Sequence, residues 1–308
     1  MVVRKTPSLT LMSAMWWRAG HLVGICHLVL AWYRSGHSTP SKEDDAMKLG
    51  WCGPIENAAI IEKAGLDFIE VPLAPFGLED QKSLAAAKKA VAASQLPTLA
   101  FNVFIPRDLR VVGTDIDVGR VKSYLGRAAE LLAYAQAKII VFGSGRARNA
   151  PEGFDRDKAE AQLIDALCWS AEALQGSDTT LVIEPLNRKE SNIVNSVGEG
   201  VRFAKAVNRP EIRVLADIYH MDEENEPLSE VAAHVEWLSH IHLADTGRFN
   251  PGTGSYDYDT FFGYLKAANY RGMLSAECTV KNPEADMRQS LAFLRRHWTS
   301  DNSENETR

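Results

Sequence analysis

Short apolar runs alternate with amphipathic stretches along the chain from about Met47 to Trp298. Apolar runs of four to six residues are typical of buried strands, and apolar positions that recur every three or four residues are typical of helices. The strands predicted in this way are Leu49–Cys52, Phe68–Val71, Thr98–Val103, Ile139–Phe142, Leu181–Glu184, Arg213–Asp217, His240–Leu243 and Met273–Glu277. Helical patterns lie between them, for example Ile55–Ala64, Val118–Ala135, Asp157–Leu174 and Val197–Val207.

This alternation predicts a parallel sheet, because neighbouring strands that run in the same direction need a crossover connection, usually a helix. Eight repeats predict closure into a single (β/α)8 TIM barrel, which typically takes about 250 residues. An open dinucleotide-binding sheet is less consistent with the sequence, since no G-x-G-x-x-G follows the first strand. The segment Gly143-Ser144-Gly145-Arg146 is glycine-rich but lacks the phosphate-loop pattern, and we interpret it as a loop that shapes a pocket.

The two ends of the chain depart from this pattern. The apolar stretch from Leu22 to Trp32 is too short to span a bilayer, which needs about 20 apolar residues. With Arg4 and Lys5 ahead of it the stretch could be a poor signal-peptide core, but Arg18 and His21 intervene and no clean cleavage site follows. We predict that residues 1–46 are a disordered leader or a start-site artefact, that residues 47–298 form one domain, and that residues 299–308 are a disordered tail.

Composition excludes some functions. The net charge is −6 and no basic block occurs, so we expect no nucleic-acid partner, and no stretch predicts a membrane anchor. Four cysteines lie far apart without a C-x-x-C pair, which argues against a disulfide framework and against a cysteine-rich zinc site. Reduced thiols in the cytoplasm are the simplest interpretation.

Four polar residues stand at or near the carboxyl ends of the last four predicted strands: Glu184, Asp217, His242 and Glu277. Barrel active sites are built at this end of the strands. A buried carboxylate is costly without a neutralising partner, and three that converge would repel one another. Any single one could instead cap a helix or pair with a lysine. The recurrence on four consecutive strands favours a shared divalent metal ion.

Three carboxylates and one imidazole form an oxygen-rich ligand set. Such a set favours Mn²⁺, Mg²⁺ or Co²⁺ over a structural zinc site. Open coordination positions would let a carbonyl and its adjacent hydroxyl bind side by side, and the ion would stabilise a developing enediolate as a Lewis acid. The sequence therefore predicts proton transfer on a sugar or a related polyol ketone.

Three further polar residues follow these positions in predicted loops. Glu190 lies six residues after Glu184, His220 lies three after Asp217, and Arg248 lies six after His242. Each could be a solvated loop residue, but their regular offsets favour contacts with the substrate, since binding residues concentrate in such loops. We expect His240 to point away from His242, packed or hydrogen-bonded behind the site.

In these residues the sequence resembles the xylose isomerase-like TIM barrel superfamily, the sugar phosphate isomerase/epimerase group. It most resembles ketose 3-epimerases of the D-tagatose 3-epimerase type. The likeness runs from about Lys48 to Trp298. Its motifs are Ile183-Glu184-Pro185-Leu186-Asn187-Arg188, Asp217-Ile218-Tyr219-His220-Met221, His240-Ile241-His242-Leu243-Ala244-Asp245, Pro251-Gly252-Thr253-Gly254 and Ala276-Glu277. As an ordered set they are specific for the superfamily and weaker at naming a substrate.

The resemblance implies roles for individual residues. Glu184, Asp217, His242 and Glu277 match the metal ligands of those epimerases, with Mn²⁺ the first choice and Mg²⁺ or Co²⁺ the alternatives. Glu184 and Glu277 match the two bases, while Glu190, His220 and Arg248 match residues that contact the substrate. The implied activity is epimerisation at carbon 3 of a ketose, and we expect a homo-oligomer, a dimer or a tetramer. Two bases fit inversion, because a proton leaves one face of the enediolate and returns to the other.

One position departs from the family pattern. An aromatic residue stands two after the last glutamate in those epimerases, and here the position is Thr279. The residue that recognises the far end of the sugar, and with it the substrate specificity, is therefore not predicted by the family pattern. Trp51 and Phe142 could supply apolar walls or could pack in the core. Asn102 and Glu70, near the ends of early strands, are candidates for residues that line the pocket or support the ligands.

Other activities remain as alternatives. An inosose dehydratase or isomerase, or a hydroxypyruvate isomerase, would use the same four ligands in a differently shaped pocket. An endonuclease with a trinuclear zinc cluster needs histidines on the early strands, but none lies between His37 and His220. A sugar-binding barrel without catalysis would be expected to lose a ligand or a base, and this chain keeps all of them.

Overall fold

The computed structural model describes residues 47–299. The predicted leader, residues 1–46, and residues 300–308 of the predicted tail lie outside the described residues, so their disorder stays a prediction. Thr299, at the start of that tail, is the last residue of the final helix. Within residues 47–299, no helix combines the length and the apolar character that a membrane crossing requires.

Eight strands alternate with helices along the described chain. The strands are β1 (Leu49–Cys52), β2 (Phe68–Pro72), β3 (Ala100–Asn102), β4 (Ile139–Phe142), β5 (Thr180–Ile183), β6 (Ile212–Asp217), β7 (Leu238–Leu243) and β8 (Met273–Ala276). The α-helices are α1 (Ala58–Ala64), α2 (Gln81–Ala92), α3 (Val118–Ala135), α4 (Gly145–Arg148), α5 (Arg156–Leu174), α6 (Val197–Val207), α7 (Ile218–Glu223), α8 (Glu230–Ala233), α9 (Tyr258–Ala267) and α10 (Pro283–Thr299). Short 3₁₀ turns are Ile55–Asn57, Ala74–Phe76, Val235–Trp237 and Thr246–Arg248.

The strands form a closed barrel in sequence order, and every neighbouring pair is parallel. Closure is made by β1 and β8, where Leu49 lies opposite Leu274. The predicted (β/α)8 fold is confirmed. Long helices begin where side chains satisfy free backbone N–H groups: Asp117 accepts from Arg120 N at 2.9 Å, and Asp155 accepts from Lys158 N at 2.9 Å.

The predicted boundaries differ from the observed ones at a few places. The stretch predicted as strand Thr98–Val103 keeps only Ala100–Asn102, because Val103 has a φ of +46° and cannot extend the strand. The predicted helix Ile55–Ala64 is a 3₁₀ turn followed by α1. Strands β5 and β8 end one residue before Glu184 and Glu277, which therefore begin the loops.

The barrel interior changes character along its axis. Its lower part is an apolar cluster of six buried residues: Phe68, Ala100, Ile139, Val141, Val182 and Leu215. Two residues further along the strands, the same inward faces carry polar groups: Glu70 follows Phe68, and Asn102 follows Ala100. Successive inward positions are two residues apart on a strand. The apolar layer therefore forms the floor beneath a polar site at the carboxyl ends of the strands.

Candidate metal centre

The four predicted ligands converge at this end of the barrel. His242 Nδ1 lies 3.1 Å from Glu184 Oε1, 3.4 Å from Glu277 Oε2 and 3.9 Å from Asp217 Oδ2. One ligand atom from each of the four lies within 4.8 Å of all the others. His242 is fully buried, whereas the Glu277 side chain is 23% exposed. The cluster is therefore closed from below and open towards solvent at Glu277.

Asp217 shows that the cluster fits a cation. Its Oδ1 accepts hydrogen bonds from Tyr219 N at 2.8 Å and His220 N at 3.4 Å, and so caps α7. Its Oδ2 is buried and has no hydrogen-bond partner. A buried carboxylate oxygen without a partner is costly, and it points to a positively charged ligand. Together with two glutamates and an imidazole it forms a set that a divalent ion could occupy.

A second layer of polar residues lies behind His242. Glu70 Oε1 accepts a hydrogen bond from His242 Nε2 at 2.8 Å, and Glu70 Oε2 accepts one from His240 Nε2 at 2.8 Å. The expectation that His240 faces away from His242 is wrong, because residues two apart on a strand share a face. His240 is nevertheless hydrogen-bonded behind the site. Since Nε2 of His242 donates to Glu70, its Nδ1 is the nitrogen left for a metal ion.

The charges of the cluster shift several pKa values. Burial alone would lower the pKa of His242, but the carboxylates of Glu70 and Glu277 outweigh burial and raise it. Burial raises the pKa of Glu184. Burial also acts to raise the pKa of Glu277, but His242 and Arg248 dominate and lower it to about 2. A metal ion would therefore displace a proton from His242, and the pKa values of the two glutamates shift in opposite directions.

The three predicted substrate residues lie beside the cluster. Arg248 donates to Glu277 Oε2 at 2.7 Å and to Glu190 Oε1 at 3.3 Å, and its guanidinium lies 5.0 Å from the centre of the Tyr219 ring. His220 is buried, and its Nε2 lies 3.9 Å from Asp217 Oδ2. Their roles in binding stay predictions, but the structure brings all three to the same end of the barrel.

Asn187 orients His220 and was not predicted. Its backbone N–H donates to His220 Nδ1 at 3.2 Å, and its side chain donates to Glu190 Oε1 at 3.2 Å. Because Nδ1 accepts this hydrogen bond, the neutral ring carries its proton on Nε2, where it has no partner. His220 therefore presents a free N–H next to the cluster.

Arg148 was also missed by sequence reasoning. It is fully buried on α4, and its guanidinium donates to the carbonyl oxygens of Phe142 at 2.8 Å and Glu184 at 2.7 Å. Burial lowers the pKa of Arg148 to about 10. Its two hydrogen bonds connect the end of β4 with the residue that follows β5. An arginine in a four-residue helix gives no sequence signal for such burial.

A cavity of about 390 Å³ opens above the cluster. Glu184, Glu277, Arg248 and Glu190 line one part of it, and residues of the glycine-rich segment Ser144-Gly145-Arg146 line another. The segment lines the pocket, as we predicted, but Gly145 and Arg146 lie on the short helix α4 and not in a loop. Asn102 also lines the cavity and donates to Glu277 Oε1 at 3.3 Å. Trp51 and Phe142 were predicted either to form apolar walls of the pocket or to pack in the core, and both are core residues.

The backbone around the cavity is shaped for close approach. A Cβ atom on Gly143 would lie 2.1 Å from Glu184 Oε2, so only glycine fits there. Three residues that line the cavity have a positive φ: Val103 at +46°, Ser144 at +35° and Arg248 at +61°. A positive φ is costly for residues other than glycine, and residues with such strained backbone conformations concentrate at functional sites.

The fold and the cluster define a (β/α)8 barrel with a possible metal centre at the carboxyl ends of β5 to β8. The chain belongs to the Xylose isomerase-like TIM barrel family, whose sequence model matches residues 58–297. The resemblance that the motifs predicted is confirmed by this match.

Two named relatives are sugar epimerases. The chain is 30% identical over 150 residues to 3-dehydro-D-guloside 4-epimerase of Escherichia coli (strain K12), a match that covers 47% of this chain and 56% of that enzyme. It is 27% identical over 279 residues to Ketose 3-epimerase of Arthrobacter globiformis, covering 84% of this chain and 92% of that enzyme. These relatives support the predicted enzyme class, isomerase.

A solved structure shows the same fold. D-allulose 3-epimerase from Methylomonas sp. superposes with a TM-score of 0.71 at 22% identity, over 82% of this chain and 98% of that one. At this identity the likeness establishes the architecture alone.

Proposed function

We propose that the chain is a metal-dependent sugar epimerase that inverts carbon 3 of a ketose. The observation that carries this proposal is the convergence of two glutamates, an aspartate and a histidine within 4.8 Å at the mouth of the barrel. Glu184 follows β5 and Glu277 follows β8, so the two glutamates stand at the two ends of this group of strands. A sugar bound between them would have one carboxylate on each side.

The ligand set favours Mn²⁺, with Mg²⁺ or Co²⁺ as alternatives, since three carboxylates and one imidazole are mostly hard donors. A divalent ion held by Glu184, Asp217, His242 and Glu277 would supply Lewis acidity that lowers the cost of negative charge on the substrate oxygens. Glu70 supports this role, because its hydrogen bond to His242 Nε2 at 2.8 Å directs Nδ1 towards the other ligands.

The protein itself would move the proton. One glutamate removes the hydrogen of carbon 3 from one face of the sugar, and the other returns a proton to the opposite face. Glu277 is held for this task by Arg248 at 2.7 Å and Asn102 at 3.3 Å. Glu184 lies 3.1 Å from His242 Nδ1.

Three residues would orient the sugar beside these bases. The free Nε2–H of His220 can donate to a substrate oxygen. Arg248 and Glu190 line the cavity next to Glu277 and can bind hydroxyl groups near the reacting carbon. These contacts would fix the substrate so that carbon 3 lies between the two carboxylates.

The test is hydrogen exchange in D₂O with the metal-loaded full chain and a panel of ketoses, inososes and hydroxypyruvate. We expect deuterium at carbon 3 of a ketose together with formation of its epimer, measured by NMR. Exchange at carbon 1 or 2 with an aldose product would instead indicate an isomerase, and loss of water from an inosose would indicate a dehydratase. Absence of exchange from the entire panel would contradict the proposal.

Several finer expectations stay predictions. The choice of Mn²⁺ is tested by elemental analysis of protein purified without added metal. The dimer or tetramer is tested by analytical ultracentrifugation of the full chain. The cytoplasmic location and the absence of a nucleic-acid partner are expectations from composition.

A further inference from the structure

Two arginines, Arg107 and Arg146, line the cavity without any partner. Within residues 47–299, every other arginine has a hydrogen bond, an ion pair or a ring contact, whereas these two have none. Both residues are exposed. The chain has 40 acidic residues against 34 basic ones. The two arginines that remain unpaired among residues 47–299 therefore both line the cavity.

Nearby carboxylates are already engaged by other groups. Asp108, the neighbour of Arg107, accepts a hydrogen bond from Arg120 at 2.6 Å. Glu190 accepts hydrogen bonds from Arg248 and Asn187. Lys189, a third cation that lines the cavity, forms an ion pair with Glu223. Arg107 and Arg146 thus keep their full charge and all their donors for a ligand.

The topology places these arginines across the barrel from Glu277 and Arg248. Arg107 lies in the loop after β3, and Arg146 lies on α4 after β4. Arg248 and Glu277 follow β7 and β8, four strands further round the closed ring of eight. A substrate that reaches from Glu277 across the cavity would place its far end beside the two arginines. The cavity volume of about 390 Å³ lies within the range of about 300–1,000 Å³ that is usual for small-molecule sites.

We propose that the substrate carries an anionic group, a phosphate monoester or a carboxylate, on the carbon farthest from the reacting carbons, and that Arg107 and Arg146 bind this group. The inference rests on the proposed function and names its substrate class. Guanidinium groups present paired N–H donors that match the oxygens of phosphate and carboxylate.

The test is isothermal titration calorimetry with the metal-loaded full chain and three ligands: D-fructose, D-fructose 6-phosphate and D-fructuronate. The variants are Arg107→Gln/Arg146→Gln and a control, Arg295→Gln/Arg296→Gln, which changes the same charge on exposed residues in the last helix. We expect at least one anionic sugar to bind about tenfold or more tightly than D-fructose to the wild type, as charge-assisted hydrogen bonds imply. The phosphate and the carboxylate are distinguished by which of them binds more tightly.

The Arg107→Gln/Arg146→Gln variant should lose this preference, while the control keeps it. Equal binding of all three sugars, no binding of either anionic sugar, or a preference that survives in the Arg107→Gln/Arg146→Gln variant would overturn the inference. Thermal unfolding checks that the variants fold, and we expect unchanged midpoints because neither arginine of the cavity has a partner to lose. Binding is measured without turnover. An anion preference without exchange at carbon 3 would therefore contradict the proposed epimerase and leave the anion site standing.

Discussion

The mouth of the barrel has two walls that handle charge in different ways. The carboxylate wall consists of Glu184, Asp217, His242 and Glu277, whose ligand atoms lie within 4.8 Å of one another. The arginine wall consists of Arg107 and Arg146, which have no partner among residues 47–299. The first wall is largely buried and held by hydrogen bonds from behind, whereas the second is exposed.

The difference teaches how each wall would recognise its ligand. Like charges in a low-dielectric site repel unless an opposite charge joins them. The carboxylate wall is rigid because Glu70 and Asn102 fix its members, as a metal site with defined geometry requires. The arginine wall can adapt, as recognition of a substrate group by exposed side chains allows. Both walls are incomplete without a ligand of opposite charge.

The largest effect is expected from removing a ligand of the carboxylate wall. Asp217→Asn keeps an oxygen that can cap α7 but removes the charge of the unpartnered Oδ2. We expect Mn²⁺ affinity, measured by calorimetry, to fall by more than about 100-fold, beyond the 10- to 100-fold typical of residues that only support a ligand. The control is the exposed Asp165→Asn on α5. Unchanged affinity in Asp217→Asn would remove Asp217 from the metal site.

A smaller effect is expected from the residue behind this wall. Glu70→Gln weakens the hydrogen bond that orients His242 and leaves the four ligands in place. We expect Mn²⁺ affinity to fall by about 10- to 100-fold. Glu62→Gln, an exposed glutamate on α1, is the matched control and should bind the ion like the wild type. If Glu70→Gln also binds the ion like the wild type, Glu70 has no role in positioning His242.

The smallest effect is expected at Glu226, a carboxylic acid that belongs to neither wall, and it concerns the pH dependence of stability. Burial, with a contribution from nearby Glu230 and Glu199, raises the pKa of Glu226 from a usual value of 4.5 to about 7. The folded chain therefore holds a proton that the unfolded chain has lost between about pH 4.5 and 7. This contribution to stability is present below pH 4.5 and is lost as the pH rises through about 7.

Glu226→Gln should remove this dependence. We expect the thermal midpoint of the variant to fall less than that of the wild type between pH 4.5 and 7, with a difference of several degrees. Parallel pH profiles of the two proteins would show that Glu226 does not hold its proton in the fold. Whereas the acids of the carboxylate wall would bind a metal ion, the half-buried Glu226 would stay protonated.

The sequence predicted the fold because each strand is a short apolar run followed by a helix of clear periodicity. It also predicted that Glu184, Asp217, His242 and Glu277 converge, because a charged or polar residue at the end of an apolar run can be recognised in the sequence. It could not predict Arg148 or Asn187, because their partners are backbone groups or residues from other loops. The sequence-based expectation that His240 faces away from His242 was wrong, because residues two apart on a strand share a face. The unpaired state of Arg107 depends on contacts between distant segments, which no local pattern reports.

The central claim is that Glu184 and Glu277 act as two bases on opposite faces of the substrate. The direct measurement follows C3 hydrogen exchange in D₂O by NMR, starting separately from each of two C3-epimeric ketoses that the metal-loaded wild type interconverts. In Glu277→Gln and Glu184→Gln we expect interconversion to fall by about 10²- to 10⁴-fold. Each variant should still exchange one epimer, and the two variants should exchange different epimers. Exchange of the same epimer by both variants, or continued interconversion by either, would contradict the account.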